Sequence, residues 1–252
     1  MVRLAAIGDT HFGEDTRGSF RRVWARLPEE ADVFLLCGDL TNLGTPEQAR
    51  GFAGELRDLG VPTVAVLGNH DYHAEQPKRL RRELEQVGVA VLEGESVELR
   101  VNGCTLGIAG AKGFGGGFVG ACGHAFGEPE MKEFMSVTEA AARRLEDSLR
   151  ALRTDLRIAL LHYSPVKDTL AGERLEIYPF LGSFLLAEAL DNAGADLVLH
   201  GHAHHGTEKG ITAGGIPVRN VAMPLIRRPY AIYELETAPR EEPARAGQEG
   251  RP

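Results

Sequence analysis

Cysteine is scarce in this chain. Only Cys37, Cys104 and Cys122 occur, none in a CxxC pair. An odd, sparse set of this kind suits free thiols and a reducing compartment, not a disulfide framework. Excess positive charge is missing too: 36 acidic residues against 28 basic ones leave a net charge of −8. Broad nucleic-acid binding needs a basic footprint, so that partner class is not expected. Small anionic substrates stay open, because a bound metal reverses the sign of a site locally. Long apolar runs are also lacking; none approaches the roughly 18 residues of a membrane-spanning helix. The opening run, MVRLAAIGDTH, is too short for a signal peptide and ends in a carboxylate. No membrane partner is expected, and a cytoplasmic location is. There is no internal repeat, and oligomeric state is not legible.

What is present is enough for a full core. The 252 residues are 43% hydrophobic, which fits one large domain, expected over residues 1–236. From Thr237 the sequence TAPREEPARAGQEGRP has no apolar side chain larger than Ala or Pro, so 237–252 is expected to be a disordered tail. Residues 2–7, 33–37 and 61–67 are short apolar runs that read as buried strands. Between them Phe20, Val23, Trp24 and Leu27 fall at helical spacing, predicting a helix over 17–27. Thr45-Pro46-Glu47-Gln48 supplies an N-cap, a proline at the first position and a capping-box Gln for a second helix. Leu80, Leu84 and Val87 mark a third helix. This β-α-β-α-β order implies parallel strands. Asn102-Gly103 between two apolar stretches predicts a hairpin, so antiparallel strands join them. Residues 112–130 form a Gly-rich loop. A second capping box, Ser136 to Glu139, predicts a helix over 137–152. A strand over 157–161, a helix over 182–193, and strands over 196–199, 216–221 and 230–235 complete the pattern.

Five apolar runs end in metal-type residues: Asp9-Thr10-His11, Gly38-Asp39, Gly68-Asn69-His70-Asp71, His162 and Gly201-His202-Ala203-His204. In open α/β sheets the ligand site lies outside the carboxyl ends of the strands, so the five clusters can converge. The donors are carboxylate, imidazole and amide oxygen, with no thiolate. This suits Mn²⁺ and Fe²⁺ or Fe³⁺, and Zn²⁺ also fits. Asp9-x-His11 and His202-x-His204 can each face one side when locally extended. The glycines before Asp39, Asn69 and His202 permit tight turns.

The five blocks, in this order between residues 8 and 205, resemble the signature of calcineurin-like metallophosphoesterases. That resemblance implies a four-layer α-β-β-α sandwich with two mixed β-sheets. It implies that Asp9, His11 and His204 hold one divalent metal ion, that Asn69, His162 and His202 hold a second, and that Asp39 bridges them. His70 would stand by the scissile phosphate as acid or charge stabiliser. The implied reaction is hydrolysis of a small phosphoester by hydroxide activated between two metals. The Gly68-Asn69-His70-Asp71-Tyr72-His73 stretch is closer to the diesterase branch than to the protein phosphatases, so a phosphodiester is expected. A nuclease of the same superfamily and a non-catalytic metal-binding scaffold are the alternatives. Asn42 stands where the family often has a second Asp, which puts local hydrogen bonding in question. Asp71 is expected to support a neighbouring motif, and His200 to be structural. His205 is expected either at the surface or supporting a ligand from behind, and His73 and His124 at the surface or in loops. For residues 112–130 a mobile loop is set against a lid in which Phe114, Phe118 and Phe126 stack on substrate.

Overall fold

The computed structural model describes residues 1–236; the expected tail over 237–252 lies outside the described residues. The first strands in the chain are β1 (Val2–Ile7), β2 (Val33–Cys37), β3 (Thr63–Val66), β4 (Ala90–Val91), β5 (Glu95–Val101) and β6 (Cys104–Ala111). They are followed by β7 (Gly117–Phe118), β8 (Ala121–Cys122), β9 (Leu156–Leu161), β10 (Leu197–His200), β11 (Lys209–Ile211), β12 (Pro217–Asn220) and β13 (Ala231–Leu235). One sheet has the order β13-β1-β2-β3-β4, parallel except for β13. The other has the order β11-β12-β10-β9-β6-β5, with β12, β10, β9 and β6 parallel and an antiparallel strand at each edge.

Strand periodicity explains how these sheets stack. Successive side chains of a strand point to opposite faces. In β1, Val2, Leu4 and Ala6 enter the core between the two sheets, while Ala5 and Ile7 enter a second core under helices. In β2, Val33, Leu35 and Cys37 face the other sheet, and Phe34 and Leu36 face the helices. Helices Ser19–Trp24, Pro46–Leu56 and Pro77–Glu85 cover that outer face with Trp24, Phe52, Leu80 and Leu84. On the second sheet, helices Pro129–Ala151 and Phe184–Ala193 set Leu145, Leu149, Leu186 and Leu190 against Ala159, Leu161 and Val198. The result is the expected four-layer α-β-β-α sandwich.

Several boundaries differ from expectation. The helix expected over 17–27 is two pieces, Ser19–Trp24 and Leu27–Glu30. Pro28 sits in the first turn of the second piece, the one place in a helix where its missing N–H costs nothing. The helix expected over 137–152 begins earlier, at Pro129, so Ser136 is an interior residue and not a cap. There, too, a proline occupies the first turn. At Thr45 the side chain does accept from the Gln48 N–H at 3.3 Å, but Gln48 Oε1 accepts from the Leu43 N–H instead of closing the box. The hairpin is as expected: Val101 pairs with Cys104 across Asn102 (φ 50°) and Gly103 (φ 79°), both in the left-handed region a type I′ turn requires.

Candidate metal centre

The ends of β1, β2 and β3 on one sheet meet the ends of β9 and β10 on the other. Past their strands, the first two chains keep running side by side: the Asp9 N–H donates to Gly38 O at 2.9 Å and the His11 N–H to Asp39 O at 3.0 Å. From the facing sheet, the Gly201 N–H reaches His162 O at 3.3 Å. Cross-links then join the two sheets. The His202 N–H donates to both carboxylate oxygens of Asp9, at 3.1 and 2.9 Å, and His162 Nδ1–H donates to Cys37 O at 2.9 Å.

Three motif glycines make this approach possible by having no side chain. A Cβ on Gly68 would collide with Asp39 Oδ1, one on Gly201 with Asp9 Oδ2, and one on Gly38 would lie 2.6 Å from His162 Nδ1. Only Gly38 of these needs a left-handed backbone, at φ 82°, so the turn argument holds for one glycine and close approach explains the other two. The strain falls on the polar residues. Asp9, His11, Asp39 and His202 have φ of 57°, 42°, 49° and 71°, a conformation uncommon for residues with a Cβ and concentrated at functional sites.

These loops bring all seven expected ligands together. Donor atoms of Asp9, His11 and His204 lie within 4.8 Å of one another, as do those of Asp39, His162 and His202. His204 Nε2 is 3.0 Å from Asp9 Oδ1 and 3.5 Å from His11 Nε2. Asn69 Oδ1 is 2.9 Å from His162 Nε2, which joins it to the second group. Asp39 belongs to both halves: Oδ1 lies 3.3 Å from His162 Nε2 and Oδ2 lies 4.0 Å from His11 Nε2. His11, Asp39 and His70 form a further group of the same kind, so the structure places His70 at the edge of the cluster.

The electrostatics fit cations. Asp9 and Asp39 are fully buried among histidines. Burial opposes charge on His162, but Asp39 beside it outweighs burial and holds the imidazole up at about 9. The same field acts on a divalent ion with twice the charge of a proton. Burial keeps His11 low against the pull of Asp39 and Asp9, and burial together with charge on His162 drives His202 down to about 3. Neutral imidazole is the form that ligates. His202 Nε2–H donates to Phe180 O at 3.2 Å, which leaves Nδ1 free to accept a ligand. His11 Nδ1 is buried with no hydrogen-bond partner among the described residues, a cost in a purely structural cluster.

Other residues have quieter roles. His200 is buried; Nδ1–H donates to Gly201 O at 2.7 Å, and Nε2 lies 2.9 Å from Thr169 Oγ1. Burial drives its pKa down to about 4, so it is a neutral packing residue. His73, His124 and His205 are exposed. Asp71 is fully buried and accepts from Leu40 N, Thr41 N, Thr41 Oγ1 and Gly68 N at 2.7–3.1 Å. It bolts the β2 loop to the β3 loop. Asp71→Ala would leave those buried donors unpaired and should cost about 3 kcal/mol or more of stability. Denaturant titration of the metal-free protein measures this; an unchanged midpoint would show that the bolt is dispensable.

Residues 112–130 are not one loop. Phe118 is buried against Tyr178, Leu170 and Leu181, so it cannot stack on a substrate. Phe114 packs on Phe134 and Tyr163, while Phe126 is 84% exposed. Sequence reasoning passed over three backbone carbonyls, of Cys37, Asn42 and Phe180, that orient His162, His70 and His202. Carbonyls carry no sequence signature. It also passed over Lys112, which stands at a strand end, the signal that located the other residues.

A family model for calcineurin-like phosphoesterases matches residues 2–206. Over 89 residues the chain is 32% identical to a Synechococcus protein named as a probable cyclic nucleotide phosphodiesterase, covering 31% of this chain and 33% of that protein. Over 82 residues it is 35% identical to a Nostoc protein named as a 3′,5′-cyclic-nucleotide phosphodiesterase, covering 28% and 31%. The matched segments span about a third of the length of these relatives. Among solved structures, phosphopantetheinyl hydrolase from Mycobacterium tuberculosis superimposes with a TM-score of 0.64 over 89% of this chain and 90% of that one, at 15% identity. At that identity the likeness is one of fold.

Proposed function

This chain belongs to the calcineurin-like phosphoesterase family, and on that premise we propose that it hydrolyses a phosphodiester at a centre holding two divalent metal ions. Asp9, His11 and His204 would hold one ion, Asn69, His162 and His202 the other, and Asp39 both. The observation that carries this reading is the division of Asp39, with one oxygen toward His162 and the other toward His11. When bound, the two ions would supply an acidified water and positive charge for the phosphoryl oxygens. The oxygen and nitrogen donors favour Mn²⁺ or iron, and Zn²⁺ also suits them.

The protein's own contribution centres on His70. Its Nδ1–H donates to the Asn42 carbonyl at 2.8 Å, which fixes the ring and presents Nε2 away from that carbonyl. Because a backbone oxygen does this, Asn42 serves as well as the Asp often found there. Nε2 is the atom that would hold a proton for the departing alkoxide. The His70 N–H meanwhile donates to Asp39 Oδ1 at 2.8 Å, so one residue both orients the shared carboxylate and faces the substrate. The names of the two cyanobacterial relatives support a diester substrate.

The test is metal analysis together with turnover under Mn²⁺ on bis-p-nitrophenyl phosphate, p-nitrophenyl phosphate, cyclic nucleotides and single-stranded DNA. Two metals per chain and faster cleavage of the diester than of the monoester are expected. Preference for the monoester would overturn the diester reading. Fewer than one metal per chain with no turnover would overturn hydrolysis altogether and favour a scaffold.

A further inference from the structure

The second sheet delivers one more side chain to the centre. Strands β6, β9 and β10 are parallel, and Ala111 pairs with Leu161 at the last position of the β6–β9 ladder. The next residue of β9's chain is His162; the next residue of β6's chain is Lys112. The His162 N–H donates to Lys112 O at 3.2 Å, so the two stand side by side on the rim.

The Lys112 ammonium is held by aromatic rings from both sheets. Nζ lies 5.2 Å from the ring centroid of Tyr72, 4.8 Å from Phe114 and 5.1 Å from Tyr163. Tyr72 follows His70 by two residues, and the Tyr163 ring lies 4.4 Å from the ring of His202. A single ring therefore links this cation to a proposed metal ligand. The rings replace part of the hydration of a half-buried cation. Nζ donates to Gly113 O at 3.2 Å, one bond from a group with three protons. The nearby carboxylate of Glu93 accepts the Lys112 backbone N–H and faces Arg144 at 3.6 Å.

We propose that Lys112 is a specificity-determining residue that binds a second anionic group of the substrate, a phosphate or carboxylate flanking the scissile diester. The ammonium is tethered among rings and touches no side chain of the seven proposed ligands, so it is placed for a charge beside the scissile group, not on it. This rests on the hydrolytic reading above.

The probes are p-nitrophenyl thymidine 5′-phosphate and its 3′-phosphorylated derivative, which differ by one phosphate. The wild-type, Mn²⁺-loaded protein is expected to prefer the derivative, and Lys112→Met to cut the kcat/KM ratio between the two roughly 10- to 100-fold, the range of one charge-assisted hydrogen bond. Lys112→Arg should keep most of the preference. Absence of preference in the wild type overturns the proposal without any variant, as do equal losses on both probes, which would put Lys112 on the scissile phosphate. If the wild type cleaves neither probe, the hydrolytic reading is judged on its own substrate panel and calorimetry decides on Lys112. Tighter binding of thymidine 3′,5′-bisphosphate than of thymidine 5′-phosphate, lost in Lys112→Met, supports the site; an unchanged gap overturns it.

Discussion

Replacing Asp39 by asparagine should remove measurable hydrolysis, with a loss of roughly 10³-fold or more, because bridging charge in such a centre supplies several kcal/mol of transition-state stabilisation. The substitution keeps the volume and the oxygen that accepts the His70 N–H at 2.8 Å. It removes one negative charge and one of the two oxygens proposed to hold the ions. Asp39 is 1% exposed, so bulk solvent does little to screen the change. Burial alone would raise its carboxyl, but His162 outweighs burial and holds Asp39 well below the usual carboxylate range. Metal content should fall from two ions per chain toward one. The check pairs metal analysis with kcat/KM; full metal content and full turnover would remove Asp39 from the centre. The fold should survive, because the inter-sheet core does not include this residue.

His70→Ala should separate chemistry from metal binding. Both ions should stay, since the two proposed ligand groups do not include His70, and the rate should fall roughly 10²–10⁴-fold, the usual contribution of a general acid. The loss should be smaller on substrates with good leaving groups such as p-nitrophenolate and larger on alkyl esters, because only a poor leaving group needs a proton. A uniform loss across leaving groups would assign His70 to charge stabilisation. No loss would exclude it from the reaction.

The layers were legible because each buried strand is apolar on both faces and each helix is apolar on one. The seven-residue cluster was legible because every member ends an apolar run. What was hidden has physical causes. The helix starts near Pro28 and Pro129 were hidden because a proline's meaning depends on whether it occupies a first turn. Gly68 and Gly201 read as turns because sequence cannot separate a backbone that needs left-handed φ from one that another chain presses against. Phe118 was offered as a stacking residue, but whether an aromatic in a glycine-rich stretch faces substrate or core depends on contacts far away, here Leu170 and Tyr178. The Asn42, Cys37 and Phe180 carbonyls could not be read at all, since every residue has one.

The left-handed backbone of Asp9, His11, Asp39 and His202 has an evolutionary consequence. Each such residue costs about 1 kcal/mol or more relative to one that fits the conformation freely. A glycine at His11 or His202 would relieve that strain and leave the centre useless, whereas Asp9 and Asp39 also accept the backbone N–H groups of His202 and His70. Selection for the reaction and selection for stability therefore pull the two histidine positions in opposite directions. A descendant released from the reaction should drift there first, with glycine or asparagine appearing at His11 and His202 while Leu35, Leu106 and Ile158 stay as they are.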